Sequence, residues 1–320
     1  MTATAKQPQT DKPDLYETVT ARIIAELENG AAPWVQPWSN TAQPGDAFPR
    51  NGKTGNHYRG NNIMLLWIAA GVHGFASNEW FGYVQAQEIG GQVRAGQKAT
   101  HIFHSGTTTD KKDRDEAATE DAGQEPGTRR YVRTLAVFNR DQIDGLPEPV
   151  RPEPTPMAER LADVESFLDA VGAAFREGCD VPVYYPEADL ICMPPLDAYN
   201  TRQHYYNDRF HETGHWTGHR SRLTRIQPGA RMGTPAYAQE ELTAELTAAF
   251  LCAHFGINGD LRHPGYIGHY MNHLREDKTA FFRATTAARQ AVDYLFRKAG
   301  RVPTMDAGRE QEPRELARAA

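Results

Sequence analysis

Cysteine is scarce in this chain, long apolar runs are missing, and positive charge does not dominate. Three cysteines occur in 320 residues, Cys179, Cys192 and Cys252, and none forms a C-x-x-C pair. That count argues against a disulfide framework and makes a reducing cytoplasm the expected compartment. No run of about 18 apolar residues exists, so no membrane insertion is expected, and the mean hydropathy of -0.65 agrees. Met1 to Pro13 is polar and lacks the apolar stretch of a signal peptide. With a net charge of -6, any nucleic-acid surface has to be a local patch.

What remains is the composition of a folded protein, 39% apolar and 24% charged, with length enough for two domains. Residues 1–13 read as disordered. Asp14 caps a helix with Leu15, Val19, Ile23 and Leu27 on one stripe, ended by Asn29-Gly30. A loop dense in glycine, amides and basic groups, from Arg50 to Asn62, feeds a helix from Ile63 to Ala70. A short helix (Gln85 to Gly90) and strands at Lys98 to His104 and Arg129 to Asn139 follow. The acid-rich stretch 106–128 between them reads as a mobile loop. Five prolines between Leu146 and Pro156 mark a stiff connection, placing one domain at 14–146, a linker at 147–156 and a second domain at 157–300. In the second domain the pattern predicts a helix from Ala158 to Phe175, strands at Val183 to Tyr185 and Leu190 to Met193, and three helices. The last of these is a single long one from Tyr266 to Phe296. Residues 301–320 read as a disordered tail. The overall class is α+β: a small α/β domain followed by a mainly helical one.

The most chemical stretch is His211-Glu212-Thr213-Gly214-His215. Histidines four apart lie on one helix face at roughly 6 Å, close enough to share a metal, with Glu212 beside them as general base toward a bound water. A catalytic zinc takes three protein ligands. His219 continues the series, yet on an unbroken helix it stands about 12 Å along the axis from His211. Turning the chain back at Gly218 would put the third histidine of an H-E-x-x-H-x-x-G-x-x-H site where Ser221 stands. Glu241 and Glu245, four apart on the helix from Tyr237 to Phe255, fit better: Glu241 as third ligand, Glu245 behind it orienting His211. Glu240 points about 100° away and is the weaker choice. The plain alternative is a surface helix that happens to carry His and Glu. The apolar residues Leu242, Leu246, Ala249 and Phe250 weigh against it, since they require a buried flank. Zinc is the expected cofactor, another divalent metal the alternative.

The first domain has no comparable acid, base or metal cluster. It interleaves aromatics (Trp34, Trp38, Tyr58, Trp67, Trp80, Tyr83) with Arg50, Lys53, Arg59, Arg94 and Lys98. Rings that stack on bases beside a basic groove are the means by which proteins bind single strands. Tryptophans are, however, more often core than platform. Trp67, in an apolar helix, is expected in the core, and Tyr58, in a polar loop, is the better stacking candidate. Arg50, Lys53, Tyr58, Arg59, Trp34, Trp38 and Lys98 are the candidate DNA-binding residues.

Three runs in the first domain, Pro49 to Asn62, Leu65-Leu66-Trp67 and Gln85 to Val93, resemble the N-terminal domain of ArdC-type antirestriction proteins, found also at the front of plasmid TraC-type primases. His211 to Leu223 and Tyr237 to Cys252 resemble the zincin-like domain of the same family. The resemblance runs from about Leu15 to Phe296. It implies single-stranded DNA as partner, a metallopeptidase-like second domain of the H-E-x-x-H-plus-glutamate kind, and protection of incoming plasmid DNA from host restriction during conjugation. One departure is Arg94-Ala95-Gly96-Gln97-Lys98, where family members carry lysine-glycine-glutamate. A metallopeptidase whose first domain recognises a protein or peptide substrate is the rival from a different class.

Overall fold

The computed structural model of the chain describes residues 15–29, 32, 34, 44–108, 129–149, 153–258 and 264–303. The expectations for 1–13, 109–128 and 304–320, and for Trp38, fall outside these residues.

In the first half, α1 (Leu15–Glu28) buries Val19, Ile23 and Leu27 along the expected stripe. β1 (Arg50–Asn51) leads through the polar loop into α2 (Asn61–His73). Every residue of α2 from Ile63 to Ala70 is buried, as expected of a helix that is apolar all round. Then come β2 (Glu79–Phe81), α3 (Tyr83–Glu88), β3 (Gln92–Val93), β4 (Thr100–Thr108), β5 (Arg129–Asn139) and β6 (Ile143–Asp144). The main sheet has the order β1-β2-β5-β4, with β1 and β2 parallel and the other pairs antiparallel. Gly106, Thr107 and Thr108, expected in the loop, continue β4. The Asn62 side chain clamps α2 along β4, donating to the Phe103 carbonyl at 2.7 Å and accepting from its N–H at 2.8 Å.

The second half opens with α4 (Met157–Val171), which stops four residues short of the expected end because Gly172 turns left-handed at φ 68°. β7 (Ala174–Glu177), β8 (Val183–Tyr185) and β9 (Leu190–Met193) form a sheet in the order β7-β9-β8, leaving β8 at an edge. Four helices follow: α5 (Arg202–Thr217), α6 (Pro235–Phe255), α7 (Pro264–Glu276) and α8 (Ala280–Lys298). The single long helix expected at the end is thus two. Asp277 accepts from the Thr279 N–H at 2.8 Å and hydroxyl at 2.7 Å, a local bond that breaks the ladder and starts α8. Sheets and helices together make the chain α+β with two domains, as expected. No helix among the described residues is long and apolar enough to cross a membrane.

One cysteine expectation fails. Cys179 and Cys192 are disulfide-bonded, with Cα atoms 5.9 Å apart, and Cys252 is free and buried. The turn after β7 brings the pair together: the Gly178 and Cys179 N–H groups both donate to the Met193 carbonyl, at 2.9 and 3.3 Å. A spacing of thirteen residues carries no motif that would announce this.

The hydrophobic core is continuous between the halves. Phe250 of α6 packs on Trp67 of α2 at 5.7 Å between ring centroids and on Phe48 at 6.4 Å. Phe48 also meets His254 edge-on at 4.7 Å, and the Trp67 indole N–H donates to the Ala47 carbonyl at 2.7 Å. Burial of this aromatic knot couples the two halves energetically. Phe250→Ala should therefore cost about 3–5 kcal/mol and lower the midpoint of a single denaturant transition. Two transitions of which only one moves would show that the halves unfold independently.

Candidate metal centre

α5 starts where the Thr201 hydroxyl accepts from the His204 N–H at 3.2 Å, and α6 where Thr234 caps Tyr237 at 3.3 Å, with Pro235 in the first turn. The helices meet at Gly214, where a Cβ would lie 3.1 Å from Ala244 Cα and 3.3 Å from Thr247 Cβ. Glycine inside a helix costs about 1 kcal/mol against alanine, and here it permits the close approach. The buried hydroxyls of Thr213, Thr217, Thr243 and Thr247 donate to carbonyls three or four residues back in their own helices. No hydroxyl among these four has to be satisfied across the interface.

This approach brings His211, His215 and Glu241 together, each offering one ligand atom within 4.8 Å of the others. The two Nε2 atoms stand 3.1 Å apart. Nitrogens bound at about 2.0–2.1 Å to one tetrahedral ion stand about 3.3–3.4 Å apart, so the donor set fits a single metal with little movement. Glu241 lies 3.5 Å from each Nε2 through its two oxygens. Behind the pair, Glu245 lies 3.4 Å from His211 Nδ1 and Glu240 lies 3.4 Å from His215 Nδ1. His219 is absent from the cluster. Its Nδ1 engages the Ser221 hydroxyl at 2.7 Å.

The sequence reading missed the work of Glu240, Arg225 and Gly218. The angular offset that disqualifies Glu240 as a ligand takes it to the far side of the His215 ring. There Arg225 grips both its oxygens at 3.0 Å while also donating to the Gly214 carbonyl at 2.8 Å and Thr217 Oγ1 at 3.0 Å. A Cβ at Gly218 would lie 2.8 Å from Glu240 Oε1. Arg225 sits in a loop with no periodicity, so no spacing rule could have singled it out.

Electrostatics at the centre favour a cation. Burial opposes a charged His215, yet the Glu241 and Glu240 carboxylates outweigh it and push its pKa up to about 9. His211 is likewise raised, burial again opposing and Glu241 and Glu245 prevailing. Burial would raise Glu241, but His215 and His211 hold it far below the usual carboxylate range. Glu212 behaves differently: burial raises its pKa despite both histidines, and the Tyr184 main chain on β8 hydrogen-bonds it. Glu212, His211 and His215 line a cleft of about 300 Å³ whose opposite wall is Pro182, Val183 and Tyr184. A clamp fixes that wall. Arg222 stacks 3.9 Å over the Trp216 ring at the end of α5 and pairs with Asp189 and the Tyr184 hydroxyl.

The candidate DNA residues are dispersed. Trp34 is 1% exposed and packs on Phe281 at 5.7 Å, so its ring is not offered to a base. Trp67 is core, as expected. Arg50 pairs with Glu79 at 3.1 Å and Asp46 at 3.9 Å, and Lys53 pairs with Glu88. Tyr58 is half-buried against the core, and burial pushes its hydroxyl up to about 12. Arg59 is half-buried, and Lys98 is exposed just before β4.

A helix presenting paired histidines to a glutamate on the next helix, behind a small α/β domain, defines a two-domain protein with a zincin-like second half. Residues 162–287 match the model of a zincin-like metallopeptidase family, and residues 13–138 match the N-terminal domain of anti-restriction factor ArdC. Crystal structures of antirestriction ArdC from plasmid R388 superpose with a TM-score of 0.69 in the metal-free form and 0.70 in the Mn(II)-bound form. Identity is 35% and 36%, covering 90% and 89% of this chain and 98% of that one. The uncharacterised protein y4eC of Sinorhizobium fredii is 36% identical over 91% of this chain and 94% of its own length. A DNA primase TraC of Escherichia coli is 36% identical over 89% of this chain but only 27% of the primase. The chain belongs to the ArdC antirestriction family.

Two outcomes are expected at the metal centre. Because the neighbouring carboxylates raise the proton affinity of both imidazoles, and the facing Nε2 atoms 3.1 Å apart hold one proton between them, a divalent ion has to displace a proton. Calorimetry in buffers of different ionisation enthalpy should register proton release at pH 7, and affinity should rise as pH climbs toward about 9. An affinity flat over that range would contradict the ligand assignment. Glu240→Gln should weaken metal binding about 10–100-fold, and Glu241→Gln should weaken it more.

Proposed function

We propose that this protein binds single-stranded DNA with little sequence readout and protects incoming plasmid DNA from host restriction during conjugation, acting in the cytoplasm. We further propose that its second domain holds zinc in a metallopeptidase-like centre. What supports the reading is the joining, in one chain, of an ArdC-type N-terminal domain to a converged His211, His215 and Glu241 cluster.

In this reading Arg50, Lys53, Tyr58, Arg59 and Lys98 contact the strand, phosphates meeting the cations and a base the exposed part of the Tyr58 ring. Trp34, buried, drops out. His211, His215 and Glu241 hold the metal, with manganese or cobalt as alternatives to zinc. Glu245 and Glu240 fix the two imidazole orientations. When bound, a divalent metal supplies Lewis acidity, polarising a carbonyl and acidifying water. Glu212 supplies the proton acceptor: it is buried beside the cluster, and that burial raises its pKa above the ordinary carboxylate value.

The cleft beside Glu212, walled by the edge strand β8, gives the rival reading its one structural support, since an extended peptide can add to an open strand. Variants separate the two. Tyr58→Ala with Arg59→Ala should weaken oligonucleotide binding about 10-fold or more, a stacked base being worth about 1–3 kcal/mol. Glu212→Gln should leave DNA binding and antirestriction intact. Measured by fluorescence anisotropy and by plasmid transfer into a restricting host, loss of antirestriction in Glu212→Gln with DNA binding unchanged would favour the peptidase.

A further inference from the structure

A second cleft, of about 590 Å³, opens in the first half of the chain between α1, α2 and the start of β4. Its floor is apolar, with Val19, Leu65 and Ile68. Its rim carries Arg22, His73, Lys98 and His101, all exposed, and no carboxylate lines it. Among the described residues none of these four groups stands in an ion pair. Elsewhere in this domain four cations are paired with carboxylates: Arg50 with Glu79, Lys53 with Glu88, Arg94 with Asp144 and Arg140 with Glu79. On a chain of net charge -6, a cleft with only basic groups at its rim is a selective place for an anion.

Its shape says which kind of anion. The Asn62 clamp sets α2 alongside β4, and the cleft follows that helix from Leu65 to His73, about 12 Å at 1.5 Å per residue. That length accommodates a short run of nucleotides. Beside the cleft, toward Asn62, Tyr16 is 37% exposed, and its ring stacks on Phe103 at 5.5 Å and meets Phe282 edge-on at 4.6 Å. Tyr16 precedes Val19 by one helical turn, and Phe103 follows His101 by two residues of strand. An apolar trough edged by cations with an aromatic ring beside it is the arrangement that lets phosphates follow the rim while bases turn inward.

We propose that this α1–α2–β4 cleft is the principal single-stranded DNA channel of the protein, with Arg22 and Lys98 on phosphates and Tyr16 stacking a base. The proposal rests on the single-strand reading above and gives it a location that the paired cations of the 50–60 loop do not. The loop joins it as an extension, because Arg59 lies just ahead of α2.

The test uses the full-length protein and labelled oligothymidylates followed by fluorescence anisotropy over a salt series. Arg22→Glu with Lys98→Glu should weaken binding at least 10-fold and reduce the salt slope by about 1.4, at about 0.7 for each phosphate no longer neutralised. Tyr16→Leu should weaken binding with the salt slope unchanged. An oligomer of six thymidylates should compete for the labelled strand, whereas thymidine monophosphate at the same nucleotide concentration should not. Photocrosslinking from 5-iodouracil should label peptides of α1 or β4. Wild-type affinity in the Arg22 and Lys98 variant, with crosslinks confined to the 50–60 loop, overturns the cleft and leaves DNA binding standing. Competition by the monophosphate as strong as by the six-mer makes this a mononucleotide pocket and overturns the channel. Absence of binding by the wild type at low salt overturns the single-strand reading and the cleft together.

Discussion

The close approach of α5 and α6 at Gly214 is the constraint on which the second domain depends. With no side chain at that point the helix axes come near enough for His211 and His215, one turn apart on α5, to face Glu241 and Glu245 on α6. Two bodies of charge then meet in a buried place. Burying carboxylates and imidazoles is costly unless they are paired, and the pairing here is mutual: each histidine has one carboxylate toward its Nε2 and another behind its Nδ1. Arg225 completes the arrangement by crossing from the end of α5 to Glu240. The buried hydroxyls around it are satisfied within their own helices.

The second domain meets the first through the core. Phe250 lies on the same helix as Glu241, and its ring packs on Trp67 and Phe48. The helix that carries Glu241 therefore also carries the seam between the halves. α2, on the far side of that seam, forms the floor of the basic cleft. The metal centre and the cleft thus stand on two helices in direct contact, although their chemistries are separate.

Much of this was legible in the sequence. Histidines and glutamates at helical spacing announce a shared face, because an α-helix repeats every 3.6 residues, and the preference for Glu241 over His219 followed from rise per residue, the residue at 221 and the spacing of Glu241 and Glu245. The apolar run in α2 announced a buried helix. What could not be read depends on partners distant in the chain. Nothing about Glu240 shows that Arg225 will hold it, and nothing about Cys179 shows that the turn after β7 returns it to Cys192. The aromatics misled for the same reason. Trp34, in a stretch with prolines, and Tyr58, in a polar glycine-rich loop, both read as candidates, yet Trp34 is covered by Phe281 from α8, and Tyr58 is half-buried. Single groups such as Arg22 and Lys98 gain meaning only when the fold places them across one cleft.

The central claim, that the helix approach makes a three-ligand metal centre, is tested most directly by X-ray absorption at the metal edge. The extended fine structure would be recorded on zinc-loaded wild-type protein and on the Glu241→Gln variant. The wild type should show two imidazoles and one carboxylate oxygen, with metal–ligand distances of about 2.0–2.2 Å. The variant should lose the carboxylate contribution or the metal. A third imidazole from His219, or an unchanged spectrum in Glu241→Gln, would contradict the claim.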